Sequence, residues 1–218
     1  MKMKTAKVKI TGATPLLMHA DSIEWADRME EWKNDPKNKK MSKAGDDRTP
    51  PWRWIGCLNH DGKVITIPNE YIMACIMRAA AQIPTGRGKG TFKSQSQSGL
   101  LCQDFHWPLL VDGGTISMGD INDMQDLDTF KDNQEAAAAL GITLFTKRAK
   151  IGASKHIRVR PRFDNWSTEG TLSILDEQIS TKIIEQIFEI GGRYIGLGDW
   201  RPGGKTPGPF GMFEAQVI

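Results

Sequence analysis

Val8 and Ile10 alternate with polar neighbours over residues 6–11, which is the period of a half-buried strand. Gly12 to Pro15 break the pattern, and residues 16–19 continue as a second apolar run. Over 21–33, Ile23, Trp25, Met29 and Trp32 recur among acids and bases and predict a helix that Pro36 ends. Residues 37–47 carry no apolar period and read as a mobile loop. Asn59-His60-Asp61-Gly62 predicts a hairpin turn between 54–58 and 64–67, because Asp-Gly tolerates the left-handed positions of a tight turn. Ile72, Met73, Ile76, Met77 and Ala80 fall at helical spacing within 70–83, with Asn69 as the N-cap and Glu70 in the first turn.

The second half continues in the same way. Residues 100–111 read as strand plus turn, 120–135 as an acidic solvated face, and 136–145 as an apolar run. Strands are predicted over 157–163 and 171–175, a helix over 180–190, then a glycine-rich loop and a last strand over 211–217. With strand 6–11 and helix 70–83 this gives β-α-β-β-α-β. The expected class is α+β, with a ferredoxin-like or RRM-like core: a four-stranded antiparallel sheet carrying two helices on one face. One domain spans 1–218, with its core in about 1–19, 59–84 and 156–218. The expected insertions are about 20–58 and 85–150.

Composition bounds the class. The 218 residues include 25% charged and 39% hydrophobic positions, which is ordinary for a globular protein. A net charge of +3 is too small to imply a polyanion partner by itself. The three cysteines, Cys57, Cys75 and Cys102, form no disulfide framework and fit a reducing cytoplasm. The N-terminus has no apolar signal region, and no membrane span is expected. Cys57 with His60 and Cys102 with His106 offer two ligand pairs, but the spacing between them fits no familiar zinc finger, so neither metal nor cofactor is expected.

Charge distribution says more than the sum. Lys147, Arg148, Lys150, Lys155, His156, Arg158, Arg160 and Arg162 fall within 147–162 without an acid among them. Around 156–160 they alternate with Ile157 and Val159, so a strand there would separate an apolar face from a cationic one. A solvated edge strand would mix signs; a phosphate-binding face would not. Residues 85–99 are rich in Gly, Ser and Gln, with Arg87, Lys89, Lys93 and one aromatic, Phe92. This segment is expected to be disordered until a strand of nucleic acid orders it. Two tryptophans around Arg53 either stack bases or anchor a loop. The loop after helix 180–190 combines many glycines with Arg193, Tyr194, Trp200, Arg201 and Lys205, a pattern suited to holding a polyanion against backbone.

Three segments resemble the RAMP superfamily, whose members form the crRNA-binding backbone and related subunits of CRISPR effector complexes. They are the first strand running into Thr14-Pro15-Leu16-Leu17-Met18-His19, Ile67-Pro68-Asn69-Glu70-Tyr71-Ile72 leading to Met77-Arg78-Ala79, and Ile195-Gly196-Leu197-Gly198 through Arg201 to Gly208-Pro209-Phe210-Gly211-Met212-Phe213. Asn69 and Glu70 depart from the family's Ser-Gly after the proline. The resemblance implies binding of single-stranded nucleic acid, RNA favoured over single-stranded DNA, by several copies along the strand as a homo-oligomer or helical assembly. Other effector subunits would be partners, in a CRISPR operon or in a phage or other mobile element. The nucleic-acid-binding set expected is Arg78, Arg87, Lys89, Lys93, Lys147, Arg148, Lys150, Lys155, His156, Arg158, Arg160, Gly196, Gly198, Arg201 and Lys205. No catalytic residue is expected. His19 is the weak candidate for an alternative, metal-independent RNA cleavage, and a protein-binding adaptor is the third reading.

Overall fold

The computed structural model describes residues 4–39, 49–86, 88–151 and 154–218; for 148–151 and 154–156 it describes the backbone course only. In chain order the strands and helices are β1 (Lys4–Gly12), β2 (Leu16–Leu17), α1 (Ile23–Asn34), α2 (Pro36–Lys39), β3 (Thr66–Pro68), α3 (Asn69–Ala80), α4 (Lys93–Gly99), β4 (Leu100–Cys102), β5 (His106–Val111), β6 (Gly114–Thr115), α5 (Met118–Asn122), α6 (Phe130–Ala139), β7 (Ile142–Ile151), β8 (Ser154–Phe163), β9 (Trp166–Ile174), α7 (Thr181–Ile190) and β10 (Phe213–Val217). The class is α+β, and every strand pairing among the described residues is antiparallel.

The principal sheet runs β10-β1-β9-β5-β3, with β4 also on β9 and β6 on β5. Its strands alternate. Ala6, Val8 and Ile10 are buried, whereas Lys7, Lys9 and Thr11 between them are exposed. The buried face is filled by Trp107 and Leu109 and covered by α3 and α7, which contribute Ile72, Ile76, Ile184, Ile187 and Phe188. At about 1.5–3 kcal/mol for each fully buried large apolar side chain, this layer is a large stabilising contribution. Trp107 lies flat on Gly170, where any Cβ would collide with the indole. The opposite face carries Thr5, Lys7, Lys9, Glu169, Glu214 and Gln216, with a Lys7–Glu169 ion pair at 3.0 Å. It is mixed in sign and presents no aromatic ring from β1, β9 or β10, unlike the stacking platforms of RNA-binding sheets.

A second, three-stranded sheet has the order β2-β8-β7. Its main part is a long hairpin arm, with β7 and β8 paired from Ile142↔Phe163 to Ile151↔Ser154. Here the structure corrects the expected strand roles. The basic segment 157–163 is not the strand beside β9; that place is taken by β4 and β5, residues 100–111, which lay inside an expected insertion. The reason is burial. The slot beside β9 needs an apolar inward face, and Trp107, Leu109 and Val111 supply it. β8, with Arg158, Arg160 and Arg162 at alternate positions, offers no such face; it pairs with β7, and Arg160 is met by Asp199 of the glycine loop while Ile157 is left exposed.

Other elements differ locally. Residues 53–57 form a 3₁₀ turn and not a hairpin strand. A turn does follow, but of the Asp-Gly pair only Gly62 is left-handed, at φ 90°, and the Asp61 carboxylate accepts from the Lys63 and Val64 amides. Those two bonds hold the Asp61 carboxyl below its ordinary pKa. Asn69 is the first residue of α3, while Pro68 occupies the cap position. The segment expected to be disordered, 85–99, contains α4, and Phe92 is buried in the core at its start. Phe92 donates its amide to the Ile83 carbonyl, so it anchors the helix and is not a free stacking ring. Arg87 lies outside the described residues. The Trp52-Arg53-Trp54 segment anchors a loop: Trp54 is fully buried and its indole donates to Asn133 Oδ1 at 2.9 Å.

Candidate functional site

Three segments far apart in sequence meet at the base of the arm. The loop between α7 and β10 is folded tightly by its own glycines. Leu197 and Gly211 are joined by a backbone bond, and Gly211 and Asp199 donate to the carbonyls of Pro15 and Leu17. Gly196 and Gly198 have φ of 72° and 73°. A Cβ on Gly198 would collide with the Leu17 carbonyl oxygen, and one on Gly196 would sit 3.0 Å from Arg201 Cβ. On the Cβ side, these two glycines therefore admit the protein's own backbone and the Arg201 and Pro202 side chains.

The loop then lays Asp199, Trp200, Arg201 and Lys205 against the arm. On the arm, Lys147 faces Arg158 and Phe145 faces Arg160 as cross-strand partners. From α3, Arg78 donates to the Gly203 carbonyl at 2.7 Å and ties the helix to the loop. The result is an open cavity of about 660 Å³ whose wall includes Arg78, Lys147, Arg158, Arg160, Arg201 and Lys205 against one carboxylate, Asp199. The six cations come from a helix, a hairpin and a loop, so no single run of sequence discloses the cluster.

The cations are not equivalent. Arg160 is largely buried, with its side chain 13% exposed, and it is ion-paired with Asp199. Asp199 also accepts the Trp200 amide at 2.8 Å. Arg160 therefore ties the loop to the arm, with its charge already met by Asp199. Arg201 donates to its own loop at the Gly198 carbonyl. Lys147 and Lys205 are exposed, and Arg158 is half-buried. Phe145, Trp200 and Phe210 form an aromatic group with centroid distances of 5.4 to 6.3 Å, and the Lys147 ammonium stands 3.1 Å from the Trp200 ring centroid.

A smaller cavity of about 330 Å³ adjoins this one and shares Asp199 and Arg201 in its wall. His19, Tyr71, Gly196 and Gly198 line it. His19 is exposed at the surface, yet partial desolvation at the cavity rim, and then Arg160, push its pKa below 6.5, while Asp199 and Asp21 act the other way. His19 is thus neutral at pH 7 and able to accept a proton.

Lys89 and Lys93 are exposed and line neither cavity. Arg148, Lys150, Lys155 and His156 occupy arm positions farther toward its tip, where only the backbone is described. Phe145, Asp199, Phe210 and Tyr71 belong to the site but were not singled out from the sequence. Asp199 did carry a signal, as the one acid in a loop of glycines and cations. Arg193 pairs with Glu189 at 3.4 Å and Tyr194 lies away from both cavities. Among the described residues no three His, Cys, Asp or Glu side chains gather to hold a metal ion, and no helix is long and apolar enough to cross a membrane. Burial raises the thiol pKa of Cys57 to about 11, and those of Cys75 and Cys102 to about 12. No protein-family model and no curated protein sequence matches this chain.

Proposed function

We propose that the protein binds single-stranded nucleic acid, RNA in preference to DNA, along the trough between the hairpin arm and the glycine loop. One observation carries the reading: Arg78, Lys147, Arg158, Arg201 and Lys205 surround one open cavity together with an aromatic cluster. Cations supply sequence-independent attraction to phosphates, and rings suit bases of any identity. A compact anionic metabolite would need fewer cations and a more closed pocket.

The order β10-β1-β9-β5, with α3 and α7 on one face, is read as a ferredoxin-like β-α-β-β-α-β arrangement. In that reading the arm is an insertion before the third core strand. This agrees with the resemblance to the RAMP superfamily, and with it we propose that several copies line up along one strand, as CRISPR backbone subunits do. Light scattering on oligouridylates of increasing length tests the assembly. Particle mass should grow stepwise with strand length; a fixed one-to-one complex at every length refutes it. Absence of binding to any strand leaves the adaptor reading.

A second reading, metal-independent RNA cleavage at His19, is favoured by the cavity it shares with Tyr71 and Arg201. Steady cleavage in the presence of a chelator, abolished by His19→Ala, would establish it.

A further inference from the structure

Trp200 carries a cost that its surroundings do not explain by packing alone. Its φ is 46°, in the left-handed region where a bulky aromatic residue is strained and glycine or asparagine is not. The fold nevertheless fixes it there. The Asp199 carboxylate holds its amide, its indole N–H donates to the Pro207 carbonyl at 3.2 Å, and Gly208 leaves room where any Cβ would collide with the Trp200 carbonyl and ring. Strain maintained in this way is characteristic of functional positions. Trp200, Phe145 and Phe210 pack on one another yet form no part of the buried hydrophobic core. Phe145 and Trp200 line the cation-lined cavity instead, Phe210 packs on both of them, and Trp200 is left half-exposed.

With its one polar atom satisfied, what the indole has left to offer is a π face. That face is occupied by the ammonium of Lys147, on a flexible and exposed side chain. A π face that attracts a cation also stacks a planar base, and the displaced ammonium then lies free beside the phosphates.

We infer that Trp200 is a stacking platform for one nucleobase, covered by Lys147 in the free protein and uncovered when a strand binds. This rests on the proposed strand-binding function and adds a base subsite to it. A short oligouridylate and an abasic ribose-phosphate chain of equal length separate the two claims. The quantity read is the ratio of the two affinities. One stacked base predicts a preference of roughly 5- to 150-fold for the base-bearing strand. Trp200→Asn, which suits a left-handed backbone, should collapse that ratio toward one, and Trp200→Phe should keep most of it. Thermal melts check that both variants fold. If Trp200→Asn does not fold, the wild-type ratio and the Trp200→Phe ratio decide. A wild-type ratio near one, or a ratio unchanged in a folded Trp200→Asn, overturns the base subsite while strand binding stands. Binding of neither chain by the wild type overturns both.

Discussion

Reversing the pair Lys147 and Arg158 to glutamate is the sharpest test of the trough. The two are cross-strand neighbours on the arm, and both line the larger cavity. Arg160 is excluded because its charge is already met by Asp199, which leaves five cations for phosphates. Five contacts to a single strand predict a log-affinity against log-salt slope of about −3.5, so that a rise from about 50 to 200 mM salt costs about 100-fold. Removing two contacts lowers the slope to about −2. Each unit-charge pair at about 4 Å in water is worth about 1 kcal/mol, so two attractions turned into two repulsions cost about 4 kcal/mol, roughly a thousandfold. Neutral Lys147→Gln with Arg158→Gln should give the same slope and about half that loss in free energy. Fluorescence anisotropy of a labelled oligouridylate across a salt series reads both quantities. The double reversal sacrifices the Lys147–Trp200 contact, about 0.5–1 kcal/mol, so the protein should still melt cooperatively. A folded double reversal that keeps the wild-type slope and affinity places the phosphates elsewhere and refutes the reasoning.

Three further outcomes follow from the geometry. Gly198→Val should destabilise the fold by at least about 2 kcal/mol in a denaturant titration, because strain at positive φ adds to a collision with the Leu17 carbonyl; an unchanged midpoint would mean the loop is not seated on β2. Arg160→Glu places a second carboxylate beside Asp199 in a half-buried site and should cost about 1.5–3 kcal/mol, well above the cost of the Lys147 and Arg158 changes; equal melting temperatures for these variants would contradict the positioning role. The folded His19 pKa lies below 6.5, so the unfolded chain takes up the proton first. Its contribution to stability is full above pH 6.5 and is lost as pH falls through the folded value. Wild type should therefore lose more stability than His19→Asn between about pH 7.5 and 5.5, and parallel pH profiles would remove the basis for a neutral His19.

The sequence alone determined what depends on near neighbours. The alternation of Val8 and Ile10 sets a strand with one buried face, the spacing from Ile72 to Ala80 sets α3, and the apolar run before Gly191 sets α7. The acid-free stretch 147–162 likewise marks an electrostatic surface from sequence alone. Which strands become neighbours is a different matter, because it depends on which segments can fill a particular slot. Residues 100–111 won the place beside β9 with Trp107 seated on Gly170, a match of shape that no local period reveals. Phe92 looked like a free ring in a polar loop, yet burial of that one side chain ties down α4. The site divides in the same way. Arg78, Lys147, Arg158, Arg201 and Lys205 could be named as cations from the sequence, but their common cavity exists only because α3, the arm and the glycine loop converge. The pairing of Arg160 with Asp199, and the presentation of Trp200 to the trough, arise from contacts between residues 39 and 53 positions apart. Tertiary structure alone decides which charges are already neutralised and which remain free to meet a ligand.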